Sequence, residues 1–499
     1  MKHNFPAPFS RVIARSQVAL LCLLLIAHAA QAQDNKPAAK PAPANTTVPV
    51  LLVSDIHFEP FWDPDKVSKL NAATVDKWDS ILAPPASAGR KQTFDAFLQK
   101  CGCGDGDTSS VLFDASLKAM KDNASGAAFV TVSGDLISHQ FKKKYFTAIP
   151  GASDTDYHAF VEKTIQYVVD KLDAQFPKAL VYVALGNNDS DCDDYLIDEG
   201  SPFLKETALE VAKNFPTAER KKAEETFGDE GYYSVALPAP IKNARLLVLD
   251  DLFMSHGYKT CAGNPDPAAA TPQINWLKKE LAEARANKQK VWIMGHIPPG
   301  IDLYSTARRR INVCTGGAPV MFLSSEEMSD AIAPYGDVVQ LAIFAHTHMD
   351  ELRLLKDQSA GAPSKTPVPI KMVSSISPIH SNLPSITVAQ VDPATAAVAN
   401  YTVFSAPDLN GGSGDWKPKE YDFKSSYTEP DFSSSSLANL IAAFAADPGA
   451  TTEDSKHYIA HFCAGHSSGT LRLAWPQYVC SLSNHTEPAF KACACANAK

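Results

Sequence analysis

The sequence lacks three features, and each absence argues against a class of protein or site. After Ala27 no run is long and apolar enough to cross a bilayer as an ordinary helix, which argues against an integral membrane protein. There is no basic excess: 46 Lys and Arg stand against 55 Asp and Glu, and the formal net charge of -9 argues against a general binder of nucleic acid or anionic membranes. No Cys-x-x-Cys spacing occurs, so the cysteine pairs do not form a zinc knuckle.

The N-terminus has the pattern of an export signal. Cations precede an apolar run and a small-residue cleavage site: Lys2, Arg11 and Arg15, then Val18 to Ala27, then Ala30-Gln31-Ala32. This order predicts a signal peptide over residues 1–32 and a secreted or periplasmic protein, with a retained anchor as the alternative. Residues 33–47 are rich in Pro and Ala and are predicted to be a spacer.

The cysteines that follow the signal favour disulfides. In an exported protein they are expected to pair rather than to bind zinc as thiolates, and their odd number leaves one thiol free or paired elsewhere. They are Cys101, Cys103, Cys192, Cys261, Cys314, Cys463, Cys480, Cys493 and Cys495.

Apolar strand patterns and helical patterns alternate from Val48 to His348, which predicts an α/β fold with a buried sheet flanked by helices. Strand patterns without helices between them continue to Phe404. We therefore predict a catalytic domain over residues 48–408. Residues 409–499 are predicted to be mostly helical and carry four cysteines, and the sequence leaves open whether they form a separate domain.

Polar residues follow five of the apolar runs. The run Ala127 to Ser133 stops at Gly134-Asp135, where a buried carboxylate needs a cation to offset its desolvation. Open α/β sheets place ligand sites at the carboxyl ends of their strands. The pattern therefore predicts a metal site at these strand ends, and the potential ligands that it offers are Asp55 and His57, Asp135, Asn187 and Asp189, His296, and His346 and His348.

In this order the motifs Asp55-x-His57, Gly134-Asp135, Gly186-Asn187-Asn188-Asp189, Gly295-His296 and His346-x-His348 resemble those of the calcineurin-like metallophosphoesterases. The segments around His296, His346 and Ser377 to Pro384 resemble the acid sphingomyelinase-like branch, which includes endopolyphosphatases. The resemblance implies an α+β sandwich with a two-sheet core flanked by helices. It also implies two metal ions, with zinc expected first and manganese or iron as alternatives.

The resemblance also implies a distribution of the ligands. Asp135 would bridge the two metals. One metal would be held by Asp55, His57 and His348, and the other by Asn187, His296 and His346.

The chain departs from the family pattern at Asn188, where the wider family has a histidine. An amide can hydrogen-bond phosphate but cannot donate a proton near neutral pH. The resembling branch has a second histidine four residues after the bridging aspartate, and His139 occupies that position. We therefore predict His139 as the general acid, with a structural or phosphate-orienting role as the alternative, and Asn188 as a phosphate contact.

These observations predict an exported hydrolase that cleaves a phosphodiester or phosphoanhydride through attack of a metal-bridging hydroxide. The expected substrate is a phosphorylated small molecule or polyphosphate, and the resemblance leaves a lipid open. A phosphomonoesterase and a non-catalytic metal- or phosphoryl-binding protein are the alternatives. Two basic runs, Lys142 to Lys144 and Arg308 to Arg310, are interpreted as solvated loop faces, with attraction of a phosphate-rich substrate as the alternative.

Overall fold

The computed structural model describes residues 47–358, 366–465 and 468–496. The predicted signal peptide and the spacer up to residue 46 lie outside the described residues, so their predictions stay predictions.

The strands grow from short runs rich in Val, Ile and Leu, residues that suit a buried pleated surface. They are β1 (Val48–Val53), β2 (Phe129–Ser133), β3 (Leu180–Ala184), β4 (Tyr233–Ala236), β5 (Ala244–Val248), β6 (Lys290–Met294), β7 (Val339–Phe344), β8 (Glu351–Leu355), β9 (Val368–Met372), β10 (Ser385–Val391), β11 (Val398–Ser405) and β12 (Glu420–Asp422).

The helices cover the sheets and fill the C-terminal part of the chain. They are α1 (Pro64–Ala72), α2 (Trp78–Leu82), α3 (Arg90–Cys101), α4 (Ser110–Ala124), α5 (Phe141–Ala148), α6 (Asp154–Gln175), α7 (Pro202–Ala212), α8 (Thr217–Glu230), α9 (Thr271–Ala286), α10 (Leu303–Arg308), α11 (Glu327–Ile332), α12 (Phe423–Ser426), α13 (Ser434–Ala445), α14 (Glu453–His461), α15 (Gly469–Ser481) and α16 (Glu487–Ala496).

Two six-stranded sheets make up the core, in the orders β12-β11-β10-β1-β2-β3 and β4-β5-β6-β7-β9-β8. The expected two-sheet α/β core flanked by helices is therefore confirmed. Strands β1, β2 and β3 are parallel, and so are β5, β6, β7 and β9. Because parallel strands end at the same edge of a sheet, the loops after β1 to β3 lie side by side, and so do those after β6 and β7.

The C-terminal helices share a hydrophobic core with the rest of the chain. Leu437, Phe444 and Trp475 are buried in the cluster that also holds Leu52 of β1 and Val388 of β10. The described residues accordingly group as one compact unit. The boundary predicted at residue 408 stays a prediction.

Disulfides are confirmed. The pairs are Cys101–Cys103, Cys192–Cys261, Cys314–Cys495 and Cys480–Cys493, and the remaining thiol, Cys463, is free and buried. The third pair connects the segment after β6 to α16, the last described helix. Within the described residues, no helix combines the length and apolar character that a membrane span requires.

Candidate metal centre

The loops at the carboxyl ends of five strands converge on one buried site. Asp55 and His57 follow β1, Asp135 follows β2, Asn187 follows β3, His296 follows β6, and His346 and His348 follow β7. His346 is partly buried, and the other six are nearly inaccessible to solvent. The structure thus brings together all seven residues that were predicted as metal ligands.

The first half of the site contains Asp55, His57 and His348. The Nδ1 of His57 donates to the carbonyl oxygen of Ile137 at 2.9 Å. The proton of the neutral ring is therefore on Nδ1, and the lone pair of Nε2 points into the site. This Nε2 lies 3.3 Å from Nε2 of His348. The His348 nitrogen in turn lies 3.4 Å from Oδ1 of Asp55. Converging lone pairs and a carboxylate are the arrangement that a divalent ion requires.

The second half of the site contains Asn187, His296 and His346. The Nδ1 of His296 donates to the carbonyl oxygen of Ser133 at 2.8 Å, so its Nε2 also faces inward, 3.1 Å from Oδ1 of Asn187. The same amide oxygen lies 2.9 Å from Nδ1 of His346. Two imidazoles and an amide oxygen therefore surround a second position.

Asp135 lies between the two halves. Its Oδ2 is 3.3 Å from Nε2 of His57 and 3.2 Å from Nε2 of His296. Burial opposes ionisation of Asp135, but the charge of His296 opposes that effect, and the pKa of this carboxyl lies well below its usual range. One ionised carboxylate is thus shared by both groups of ligand candidates.

The backbone at the site is strained. Asp55, His57, Asp135, His346 and His348 all have positive φ angles, of 45°, 46°, 56°, 69° and 64°. Non-glycine residues rarely adopt this left-handed conformation, which costs about 1–3 kcal/mol each and concentrates at functional sites. At Gly134 (φ 90°) a Cβ would lie 2.6 Å from Nδ1 of His296, so glycine is required there for the β2 loop to approach that ring.

The surroundings of the Asp55 carboxylate show that the site fits a metal ion. Its side chain is fully buried, and neither carboxylate oxygen accepts a hydrogen bond within the described residues. Burial raises the pKa of Asp55 to about 7 in the metal-free protein. A buried carboxylate without donors is costly unless a cation compensates it, so the site fits a bound metal ion.

The imidazoles support the same conclusion. Burial lowers the pKa of His57 to about 4 and that of His346 to about 3, which keeps both rings neutral, the form that binds metals. His296 differs: burial lowers its pKa, but Asp135 and Asp55 outweigh burial and raise it to about 10. The carboxylates of Asp135 and Asp55 thus favour a positive charge at His296, and a bound cation would balance the same carboxylates.

Two carboxylates hold ligand residues in place. Asp251 accepts the backbone N–H groups of His296 and Ile297, both at 2.9 Å. Asp194 accepts the side-chain amide of Asn187 at 2.7 Å and turns its oxygen toward the site. Sequence reasoning missed both residues. The Asp250-Asp251 pair that follows the apolar β5 was the available signal for Asp251, whereas Asp194 lies in a polar loop without a pattern.

Asp189 lies at a strand end, but its carboxylate binds backbone N–H groups. It accepts backbone N–H groups from Leu136, Ile137 and Gly186 at 2.8–3.1 Å, and so connects the loops after β2 and β3. Burial raises the pKa of Asp189 to about 7. These bonds to backbone donors give Asp189 a role in holding the two loops together, outside the seven predicted metal ligands.

His139 lies beside the first half of the site. Its ring stacks on that of His57, with centroids 4.0 Å apart. Its Nδ1 donates to the buried carboxylate of Asp107 at 3.1 Å, and its Nε2 has no hydrogen-bond partner within the described residues. Burial lowers the pKa of His139, but Asp107 outweighs that effect and raises it to about 9.

Asp107, which contacts His139, belongs to a group of buried charged side chains. Lys144 is fully buried, forms an ion pair with Glu59 and lies 3.7 Å from Oδ2 of Asp107. Ser377 donates to Oδ1 of Asp107 at 2.7 Å. Asp107 is therefore fixed from several sides, and it fixes the His139 ring.

Asn188 faces Asp135 rather than solvent. Its backbone N–H and its side-chain amide donate to the two oxygens of Asp135 at 2.8 and 2.9 Å. These bonds orient the carboxylate that both halves of the site share.

The two basic runs differ in their environment. Arg308 to Arg310 are exposed, as expected for a solvated face. Lys144 is fully buried, so the interpretation of the lysine run as a solvated face was wrong at this position, because α5 turns Lys144 toward Glu59. Lys142 is partly buried and donates to the carbonyl oxygen of Cys192 at 2.8 Å.

A two-sheet α/β core with Asp, Asn and His side chains gathered at parallel strand ends is the fold and site of a metallohydrolase. The chain belongs to the calcineurin-like phosphoesterase family, whose model matches residues 48–350. It is therefore a metallophosphoesterase, a hydrolase of phosphoric esters.

The similar proteins include named phosphodiesterases. The cyclic GMP-AMP phosphodiesterase SMPDL3A of Homo sapiens is 26% identical over 463 residues, covering 89% of each chain. The acid sphingomyelinase-like phosphodiesterase 3b of Mus musculus is 25% identical over 409 residues, covering 79% of each chain. Among solved structures, a dimetal phosphatase from Danio rerio covers 72% of this chain and 95% of its own, at 12% identity and a TM-score of 0.37.

Proposed function

We propose that the chain is an exported phosphoesterase that binds two metal ions and hydrolyses a phosphodiester or a phosphoanhydride. One observation carries the proposal. A single oxygen of Asp135 lies within 3.3 Å of imidazole nitrogens from two separate ligand groups, as a bridging carboxylate would. A site for one metal has no need of this sharing.

Asp55, His57 and His348 would hold one ion, Asn187, His296 and His346 the other, and Asp135 both. When bound, two such ions supply a nucleophilic water at neutral pH and stabilise charge on the phosphoryl oxygens. The ligand atoms are oxygen and imidazole nitrogen without thiolate, a set compatible with zinc, which we expect first, and with manganese or iron.

His139 is proposed to protonate the departing oxygen. Asp107 holds the Nδ1 proton, so the proton at Nε2 is the one available for transfer. An oxygen from water bonds to phosphorus while the bond from phosphorus to the leaving oxygen breaks and the leaving oxygen takes the Nε2 proton. The proton that the water gives up goes to solvent, and a proton from solvent later restores the ring. The side chain of Asn188 is committed to Asp135, which supports a positioning role for Asn188 and leaves His139 as the proton donor.

The substrate class rests on the relatives, several of which are named phosphodiesterases. We extend that class to this chain and leave the alcohol or phosphate that departs unspecified. Export rests on the cysteines, because four disulfides persist in an oxidising compartment and are rare in a reducing one. We therefore propose a secreted or periplasmic location.

A substrate panel tests the proposal. The purified protein is reconstituted with zinc, manganese or iron and assayed on bis-p-nitrophenyl phosphate, p-nitrophenyl phosphate, polyphosphate and cyclic GMP-AMP. We expect hydrolysis of a diester or an anhydride with about two metal ions per chain. Asp135→Asn is the matched control, since it keeps the size of the side chain and removes the shared charge.

Two results would decide against the proposal. Activity confined to p-nitrophenyl phosphate would identify a phosphomonoesterase. Metal-loaded protein that binds phosphate but hydrolyses no member of the panel, with any of the three metals, would identify a binding protein.

A further inference from the structure

The loop between β9 and β10 is tied to both parts of the site. The backbone N–H of Ser377 donates to the carbonyl oxygen of Asp55 at 3.0 Å, and its hydroxyl donates to Asp107 at 2.7 Å. The side-chain amide of Asn382 donates to the carbonyl oxygen of Ser377 at 3.0 Å and to the hydroxyl of Ser375 at 2.8 Å. The loop is therefore fixed relative to one proposed metal ligand and to the residue that orients His139.

This fixed loop carries an exposed imidazole. His380 is exposed to solvent, and its ring centroid lies 4.5 Å from that of His348, with an angle of 71° between the rings. It lies 6.3 Å from the ring of His139. Neither ring nitrogen of His380 has a hydrogen-bond partner within the described residues.

The position of His380 differs from that of a metal ligand. His57, His139 and His348 place ligand atoms within 4.8 Å of one another, and His380 is outside that group. The side chain of His139 is 27% exposed, whereas His57 and His348 are covered. Beside the first half of the site, His139 and His380 are thus the imidazoles that a molecule approaching from solvent would contact.

We infer that His380 is a substrate-binding residue that donates a hydrogen bond from its ring to a phosphoryl oxygen of the substrate. The inference rests on the proposed function and adds a residue that lies outside the predicted ligand set. An imidazole always offers at least one N–H donor, and an anionic oxygen is a strong acceptor. Because the loop is already fixed and the ring is unpaired, binding costs little reorganisation and breaks no existing hydrogen bond.

The test compares His380→Ala and His380→Gln with the unchanged protein, each as the full metal-reconstituted chain. Calorimetry measures the affinity for inorganic phosphate, and metal analysis measures the ion content. We expect His380→Ala to bind phosphate about tenfold more weakly, the effect of losing one hydrogen bond to a charged group. His380→Gln, which retains an N–H donor, should recover part of the loss, and metal content should stay the same.

His158→Ala is the matched control. His158 is another accessible histidine, but it lies on α6 and pairs with Asp191 at 3.3 Å, so its removal should leave phosphate affinity unchanged. Unchanged phosphate affinity in His380→Ala would overturn the inference, and so would a parallel loss of metal, which would make His380 a ligand. If the unchanged protein binds phosphate but hydrolyses nothing, the proposed function fails, while the phosphate affinities still decide the role of His380.

Discussion

Nδ1 of His139 lies 3.1 Å from one carboxylate oxygen of Asp107, and the backbone N–H of His139 donates to the other oxygen at 2.9 Å. Asp107 is 32 residues earlier in the chain, and its side chain is inaccessible to solvent. The carboxylate therefore fixes the position and the tautomer of the ring and directs Nε2 away from itself. If His139 is the general acid, Asp107 is the residue that orients it.

Replacing His139 by Ala is expected to reduce turnover by about 10²–10⁴-fold, the usual contribution of a general acid, with metal content unchanged. Asp107→Asn, which keeps the size but removes the charge that fixes the tautomer, should cause a loss of the same order. The double variant should be little worse than either single one, since the two residues act as a unit.

Steady-state kinetics and metal analysis of the three variants check this. Near wild-type turnover in His139→Ala would contradict the acid role. A loss of metal in parallel with activity would instead make His139 a ligand, a role that its closeness to His57 and His348 permits.

The buried pair of Lys144 and Glu59 gives a prediction about stability. Both side chains are fully buried, so Lys144→Met leaves the Glu59 carboxylate without its cation and should cost about 3–5 kcal/mol of the free energy of unfolding. The double variant Glu59→Leu with Lys144→Met removes both charges and should recover most of that loss. Urea unfolding of the single and double variants measures it, and additive losses would show that the two charges are not coupled.

Metal removal should destabilise the protein, because Asp55 then remains buried with no hydrogen-bond donor to either oxygen. In the chelated protein above pH 7, where Asp55 is ionised because its pKa is about 7, Asp55→Asn removes that charge and should raise the free energy of unfolding by about 1–3 kcal/mol. In the metal-loaded protein the same substitution should lower stability, because a ligand charge is lost. Thermal unfolding with and without chelator measures both signs, and the same sign in both states would show that Asp55 does not bind metal.

Because His485 is buried, we expect the free energy of unfolding to decrease in acid. Burial lowers its pKa from the ordinary 6.5 to about 4, although Asp330 and Asp357 oppose the shift. The unfolded chain therefore binds the proton first as the pH falls below 6.5, and stability decreases from there toward pH 4. The contribution of this group between pH 6.5 and pH 5 is about 2 kcal/mol.

Urea unfolding of the unchanged protein and of His485→Gln at pH 7 and pH 5 isolates this contribution. The variant should lose less stability between the two pH values, because Gln does not titrate. An equal loss in both proteins would assign the acid sensitivity to other groups.

The sequence predicted which polar residues would gather at the strand ends because its signal is local. Asp55, Asp135 and His296 each follow an apolar run, and such a run followed by a polar residue can be read without knowledge of the fold. The identity of the free cysteine, by contrast, could not be predicted from residues that are neighbours along the chain. Counting predicted that one thiol would be left over, but only the four pairs that the fold brings together identified it as Cys463.

The supporting residues could not be read in this way. Asp107 lies in a stretch rich in Gly and Asp, and Lys144 lies in a run of three lysines that is typical of a solvated face. Their roles depend on Glu59, His139 and Ser377, which lie up to 270 residues away along the chain.

The sequence by itself determined which residues end the strands and in what order, because hydrophobic patterning is a property of neighbours along the chain. Only the tertiary structure decided that one oxygen of Asp135 lies near both groups of ligand candidates, that Asp107 holds His139, and that His380 lies beside His348 and His139. These relationships follow from the order of strands in the two sheets and from the need of each buried charge for a partner. Strand order and charge pairing both depend on contacts between residues that are distant along the chain.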